Sequence, residues 1–132
     1  MKNIFKHNNG RLFEYIKEIK EISDLVIVRF KGAIDSATIP IIRENIKKYR
    51  EKYLDKNILV DFKEVSHVDS ATLAALLIIL GEHEKHRTKL GIINISKLFE
   101  SYLQVERLGT IICTYANEEL AMKALAANRK NI

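Results

Sequence analysis

The sequence predicts an α/β domain with a central, mostly parallel sheet of roughly four to five strands, flanked by about four helices. Runs rich in Val, Ile and Leu alternate with stretches of helical periodicity from residue 25 onward. Each helical stretch is long enough to cross over between parallel strands. The chain has 132 residues, of which 47% are hydrophobic, so it can bury a core without disulfides or metals.

The order of the elements follows from local patterns along the chain. Residues 1–10 are mostly polar and are predicted to form a flexible N-terminal tail, which leaves residues 11–132 as the domain. Residues 11–22 contain apolar positions that fit a helix and others that fit a strand, so periodicity leaves this segment open. Further strands are predicted at residues 25–30, from residue 58, at 90–95 and at 111–115.

Cap-forming residues mark where the predicted helices begin. In chain order these residues are Ser36 or Thr38, Ser70, Ser96 and Asn117. Pro40 has to lie in the first turn of the first helix, because a proline further along would break it.

The junction between the strand from residue 58 and the next helix is the most informative stretch. A polar connection leads to Asp69 and Ser70, after which leucines at 73, 76, 77 and 80 follow the spacing of one helix face. Ser70 is therefore predicted at the helix N-cap, on the surface and at the positive end of the helix dipole. Capping alone, worth about 1 kcal/mol, would be a sufficient role for this serine.

Charge and hydropathy exclude several classes of function. The net charge of +5 arises from 22 basic and 17 acidic residues, and the densest basic segment, residues 43–56, is interrupted by acidic ones. Such a segment is typical of a solvated helix face, so direct nucleic-acid binding is not expected. The longest apolar run, residues 73–80, is too short to span a bilayer, so no membrane insertion is expected. A cytoplasmic location is predicted, because a lone Cys113, expected to be a buried thiol, cannot form an internal disulfide.

No catalytic, cofactor or metal site is predicted. All five glycines are isolated, which excludes a glycine-rich phosphate loop, and there is no Cys-x-x-Cys pair. His83 and His86 are three residues apart and are interpreted as surface histidines, and His67 is interpreted as a loop histidine. Because no nucleophile–base pair or paired carboxylates are evident, the protein is not expected to be an enzyme.

A phospho-acceptor receiver domain would show a similar alternation of strands and helices. Such domains need an acidic pair after the first strand and a lysine after the last. Asp35 stands alone after its strand, and no lysine follows Tyr115, so this alternative is rejected.

Four short segments resemble the STAS domain family, and most closely the free-standing anti-sigma factor antagonists of bacteria. The segments are Gly32-Ala33-Ile34-Asp35, Val60-Asp61-Phe62-Lys63-Glu64-Val65, Val68-Asp69-Ser70-Ala71-Thr72-Leu73 and Leu108-Gly109. The resemblance covers about Phe13 to Ala127, and the Asp-Ser junction before a Leu/Ala-rich helix is its specific part. It favours a strand for the segment that periodicity leaves open.

The resemblance implies a partner-switching function. In antagonists of this type the serine after the aspartate, here Ser70, is phosphorylated; the unphosphorylated form binds an anti-sigma factor with serine kinase activity, and a phosphatase resets the switch. Homodimer formation is left open. The implied partner-binding residues lie in one loop and around the start of the second predicted helix, and comprise Ile34, Asp35, Ser36, His67, Val68, Asp69, Ala71 and Thr72.

The sequence departs from the family pattern directly after Ser70. Antagonists commonly continue with a second hydroxyl residue and glycine, where this chain has Ala71 and Thr72. Thr72 is bulkier and adds another hydroxyl near the expected phosphorylation site. An alanine here is similar to the STAS subunit that binds the ATPase of a phospholipid-transporting ABC system without phospho-switching. That role, or a stressosome-type scaffold, is the alternative.

Overall fold

The computed structural model describes residues 2–3, 14–50, 56–81, 89–105 and 112–130. These residues form six strands and four helices. In chain order the elements are β1 (Lys2–Asn3), β2 (Ile16–Ile22), β3 (Leu25–Ile34), α1 (Ile39–Arg50), β4 (Asn57–Val68), α2 (Ser70–Gly81), β5 (Leu90–Ile93), α3 (Lys97–Val105), β6 (Ile112–Thr114) and α4 (Glu118–Lys130).

The strands form one sheet in which spatial order follows chain order, from β1 to β6. The pairs β1–β2 and β2–β3 are antiparallel, whereas β3–β4, β4–β5 and β5–β6 are parallel. Helices α1, α2 and α3 connect the successive parallel strands, as crossover connections must. The predicted α/β architecture with a mostly parallel sheet is therefore confirmed.

The structure shows a strand in the segment whose sequence periodicity fits both a helix and a strand. Residues Ile16–Ile22 form a strand that pairs with β3 in a hairpin, and Ser23 in the turn has a φ of 55°. Lys2 and Asn3, expected to belong to a flexible tail, pair instead with Glu21 and Lys20, respectively. Residues 4–10 of the expected tail lie outside the described residues.

Two hydrophobic layers cover the faces of the sheet. Val26, Val28 and Phe30 of β3 face α1 and α2 on one side, where they pack with Ile42 and Leu73. The alternate β3 residues point to the other side, where α4 covers them. This alternation follows from the two-residue period of a strand, and burial on both faces explains why β3 is apolar almost throughout.

Strand β4 is longer than the sequence predicts. The residues expected to form a polar connection continue the parallel pairing with β3 as far as Val68, opposite Ile34. Two shifts in the register accommodate extra residues in β4, and the expectation of a connection here, with His67 in a loop, is wrong. His67 lies within the strand opposite Ala33, and its side chain is exposed.

Helix α1 begins close to where the sequence predicts. Pro40 is the second residue of the helix, and the Thr38 carbonyl accepts a hydrogen bond of 3.2 Å from the Ile42 amide. Arg43 and Lys47 are exposed, which agrees with a solvated basic face. None of the described helices is long and apolar enough to cross a bilayer.

The prediction for Cys113 is correct for the strand and wrong for burial. Cys113 lies in β6, the last strand of the described sheet, and is exposed. His83 and His86 lie outside the described residues. Among the residues that the structure describes, no cluster of three or more potential ligands could hold a metal ion.

Candidate functional site

The junction between β4 and α2 exposes a serine hydroxyl in the first turn of a helix. Asp69, rather than the predicted Ser70, is the N-cap: its Oδ1 accepts a hydrogen bond of 2.7 Å from the Thr72 amide. The Asp69 carbonyl accepts a bond of 2.9 Å from the Leu73 amide, which is the first intrahelical bond. Ser70 is therefore the first residue of the helix, and its side chain is exposed and not needed for capping.

The Asp69 carboxylate is held in its ionised form. The Thr72 amide, followed by the Thr72 hydroxyl, lowers the pKa of Asp69, and the nearby His67 contributes in the same direction. These interactions outweigh the opposing effect of burial. A carboxylate at the N-terminus of a helix is further favoured by the helix dipole.

Two hydroxyls follow Asp69 closely in the chain, but only one of them is accessible. Ser70 and Ala71 are exposed, whereas Thr72 is only 5% exposed and its hydroxyl bonds Asp69. The bulk of Thr72 therefore lies inside the protein and does not obstruct the surface around Ser70. Of the two hydroxyls that follow Asp69 in the chain, only that of Ser70 is open to the surface.

The loop after β3 lies beside this junction. Ile34 and Val68 pair at the end of the β3–β4 ladder, so the residues that follow each strand emerge at the same edge of the sheet. Asp35 Oδ1 accepts hydrogen bonds of 2.9 Å from the Ala37 amide and 3.1 Å from the Thr38 amide, which fixes the loop into a turn.

The predicted partner-binding residues of the first loop do not all reach the surface. Ser36 is exposed and Asp35 is partly exposed, but Ile34 is fully buried in the core. Around the junction of β4 and α2, His67 and Ala71 are exposed, whereas Thr72 is buried. Ile34 and Thr72 thus support this surface from beneath and do not form part of it.

A polar cluster lies on the face of the sheet that α4 covers. The sequence patterns do not predict it. Arg29 Nη1 donates hydrogen bonds of 2.8 Å to Asp61 Oδ2 and 2.7 Å to Glu118 Oε1, and Arg29 Nε bonds Glu18. The Glu118 hydrogen bond is the main cause that raises the pKa of Arg29, against the opposing effect of burial. An arginine and an aspartate inside two apolar strand runs were the available signal.

Asp61 connects this cluster to the loop after β5. Its Oδ1 accepts hydrogen bonds of 2.7 Å from Asn94 Nδ2 and 2.9 Å from the Lys63 amide. Burial acts to raise the pKa of Asp61, but the hydrogen bonds from Asn94, Lys63 and Arg29 prevail, and the net effect lowers it.

An open cleft of about 600 Å³ lies between the far end of β4 and the loop that follows β5. Its apolar lining consists of Phe62, Val65, Val68, Ile95 and Phe99. The cleft reaches Val68, two residues before Ser70, so it borders the surface described above.

Comparison with known proteins identifies the family. The STAS domain family model matches residues 16–121, and the chain belongs to this family. Among solved structures, an anti-sigma factor antagonist from Mycobacterium paratuberculosis superposes with a TM-score of 0.65 at 17% identity, over 82% of this chain and 91% of that one.

Two structures of SpoIIAA share the fold as well. The unphosphorylated form of this anti-sigma factor antagonist matches with a TM-score of 0.62 at 20% identity, over 83% of this chain and 95% of that one. The phosphorylated form of SpoIIAA from Bacillus matches with a TM-score of 0.62 at 22% identity, over 83% and 97% of the two chains.

Proposed function

We propose that this protein is an anti-sigma factor antagonist that binds an anti-sigma factor of the serine kinase type and is released when Ser70 is phosphorylated. The observation that carries the proposal is the exposure of Ser70 in the first turn of α2, while the neighbouring hydroxyl of Thr72 is buried. The binding surface comprises Asp35 and Ser36 of the first loop and the start of α2 around Ala71.

The chemistry of such a switch follows from the position of Ser70. A phosphate adds about 1.5 to 2 negative charges at neutral pH together with three acceptor oxygens. The amides of the first helical turn favour this charge, whereas the Asp69 carboxylate opposes it. The protein itself therefore tolerates the phosphate without a change of fold.

A partner that packs over the same surface does not tolerate it. Burying an unpaired phosphate costs several kcal/mol, because water is removed from a dianion. A loss of about 3 kcal/mol weakens binding by more than about a hundredfold. The switch then acts through desolvation and repulsion at the interface.

The relatives support this proposal in two ways. SpoIIAA is an anti-sigma factor antagonist whose structure exists in unphosphorylated and phosphorylated forms. The present chain matches both forms with the same TM-score of 0.62, which is consistent with a switch that leaves the STAS fold unchanged. A cytoplasmic location and a phosphatase that resets the switch belong to the same proposal.

The test measures capture of the purified serine-kinase-type anti-sigma factor from the same organism. Ser70→Ala should bind as the wild type does, whereas Ser70→Asp should lose most of its affinity. Ser23→Asp is the matched control. Ser23 is also an exposed serine, but it lies in the turn before β3, whereas the loop beside Ser70 follows the other end of that strand. Equal binding by Ser70→Ala and Ser70→Asp would reject the switch.

Phosphate mapping provides an independent measurement. Incubation with the kinase and ATP should add one phosphate, at Ser70 and not at Thr72. Constitutive capture of an ABC-transporter ATPase, with no phosphate on Ser70, would instead favour the accessory-subunit alternative; a stressosome-type scaffold would appear as a large assembly.

A further inference from the structure

We infer that the edge of β4 beyond Asp61, along which no described strand pairs, receives an extended segment of the anti-sigma factor, which adds to the sheet as a further strand. The identity of the partner rests on the proposed function. The location of the added strand rests on the sheet itself, because β4 extends well past its neighbour β5.

Among the strands that the structure describes, the unequal lengths of β4 and β5 leave this edge without a partner. The β4–β5 ladder ends where Asp61 pairs with Ile93, whereas the β3–β4 ladder continues to Val68. From Phe62 to Val68, β4 is therefore paired with β3 on one side and with no described strand on the other. Unpaired backbone donors and acceptors along such an edge are a template for another strand.

The structure also explains why β5 turns away at this point. Asn94, directly after β5, has a φ of 62°, a left-handed conformation that ends the extended chain. Its side-chain amide donates to Asp61 Oδ1 at 2.7 Å, which holds the turn against β4. Ser96 then caps α3 through a hydrogen bond of 3.3 Å from the Phe99 amide. The cleft occupies the space into which a continued β5 would have extended.

The chemistry of the cleft indicates what kind of segment fits. Half of its lining residues are apolar, and two of the others, Lys63 and His67 of β4, are exposed. Among the described lining residues there is no carboxylate. An extended segment with apolar side chains against the apolar lining residues and acidic side chains toward Lys63 and His67 is complementary to this site.

The position of the edge couples it to the proposed switch. The edge ends at Val68, two residues before Ser70, so a segment bound along it passes the start of α2. An acidic segment would meet a phosphate on Ser70 as a like charge, and repulsion would add to the desolvation cost. With strand addition, the phosphate on Ser70 therefore weakens partner binding through charge repulsion as well as through the desolvation cost.

The test is amide hydrogen exchange of the full chain, alone and in complex with the purified anti-sigma factor. The Lys63 amide already donates to Asp61 Oδ1, so the test concerns the amides of residues 64–68 that do not bond β3. These amides should exchange at least about tenfold more slowly in the complex, because they become strand hydrogen bonds. The turn at Ser23 and Asp24 provides the internal reference, and its exchange should not change.

Charge reversal tests the acidic character of the segment. The double variant with Lys63→Glu and His67→Glu should weaken binding about tenfold or more, which corresponds to about 1.4 kcal/mol. Lys47→Glu is the matched control on the exposed face of α1 and should bind as the wild type does. Thermal unfolding of each variant verifies that the fold is retained.

The outcomes separate this inference from the proposed function. If Ser70 controls binding but the edge amides remain unprotected, strand addition is wrong and the proposed function stands. If no anti-sigma factor binds, the proposed function fails and the assigned partner fails with it. If the edge becomes protected in the free protein as its concentration rises, a second copy of the chain occupies the edge, and the inference is overturned.

Discussion

Arg29 lies directly opposite Asp61 in the parallel ladder between β3 and β4, and its guanidinium donates to the Asp61 carboxylate at 2.8 Å. The same guanidinium bonds Glu118 at the start of α4. One arginine thus joins two strands of the sheet to the helix that covers it. Asp61 in turn bonds Asn94, so the cluster also supports the turn that opens the cleft.

Replacing Asp61 with asparagine should destabilise the protein. The Asp61 side chain is only 8% exposed and accepts hydrogen bonds from three groups, so its loss should cost about 1–3 kcal/mol at pH 7. Urea denaturation measures this difference. Glu64→Gln is the control on the same strand, because Glu64 and its partner Lys17 are 48% and 49% exposed. The control should change stability by less than about 1 kcal/mol.

The same comparison should depend on pH in a defined direction. The pKa of Asp61 is lowered in the folded state, so its ionised form contributes stability above the unfolded value of about 3.8. That contribution is lost as the pH falls through the folded pKa. The difference in unfolding free energy between wild type and Asp61→Asn should therefore keep about its full value from about pH 5 to about pH 7. It should shrink below about pH 3.8. A difference that grows in acid would contradict the assignment.

Asp69 and Ser70 have separable roles in α2. Asp69→Ala should lower the melting temperature and speed exchange of the Thr72 amide, because the N-cap is lost. Asp69→Ser should restore most of the stability, since serine also caps helices. Ser70→Ala should leave stability nearly unchanged. A large loss of stability in Ser70→Ala would mean that Ser70, and not Asp69, caps the helix.

The ring of Tyr115 leaves too little space for a side chain at position 91, which is occupied by a glycine. A Cβ atom at Gly91 would lie 2.8 Å from Tyr115 Cε2 and 3.1 Å from Leu125 Cδ1. Gly91→Ala should therefore destabilise the protein by about 1–3 kcal/mol, measured by urea denaturation. Because the ring is the nearest obstacle, Tyr115→Ala should suppress part of this effect in the double variant. Additive losses in the double-mutant cycle would exclude the contact as the cause.

Cys113 should react with a thiol reagent in the folded protein. Its side chain is exposed, so Ellman's reagent should modify it without denaturant, and Cys113→Ser should abolish the reaction. Burial is the main cause that raises the pKa of the neighbouring Tyr115 to about 12, and Cys113 contributes to the increase. Cys113→Ala should accordingly lower the pH at which this tyrosine ionises in an absorbance titration. Protection of the thiol until unfolding would contradict its exposure.

Several features followed from the sequence because their causes are local. The alternation of apolar runs with helical periodicity indicated the β3–α1–β4–α2–β5–α3–β6–α4 order, since strand and helix periods are properties of neighbouring residues. The exposed hydroxyl of Ser70 was predicted for the same reason. Only the predicted capping role of Ser70 was wrong, because the Thr72 amide donates its hydrogen bond to the side chain of the preceding residue, Asp69.

Other features depended on residues distant in the chain. The periodicity of residues 63–67 is that of a polar connection, yet pairing with β3 and two register shifts extend β4 through them. The exposure of Cys113 depends on which elements pack over β6, which a strand-like run cannot reveal. The contact of Arg29 with Glu118 joins residues 89 positions apart.

The sequence alone therefore determined the fold class, the serine at the start of α2 and the family resemblance. Tertiary structure decided which neighbouring hydroxyl is accessible, how far β4 extends and which carboxylates surround Arg29. The physical reason is that periodicity and capping are set within a few residues, whereas burial, strand register and charge pairing are set by elements that meet only in the folded chain.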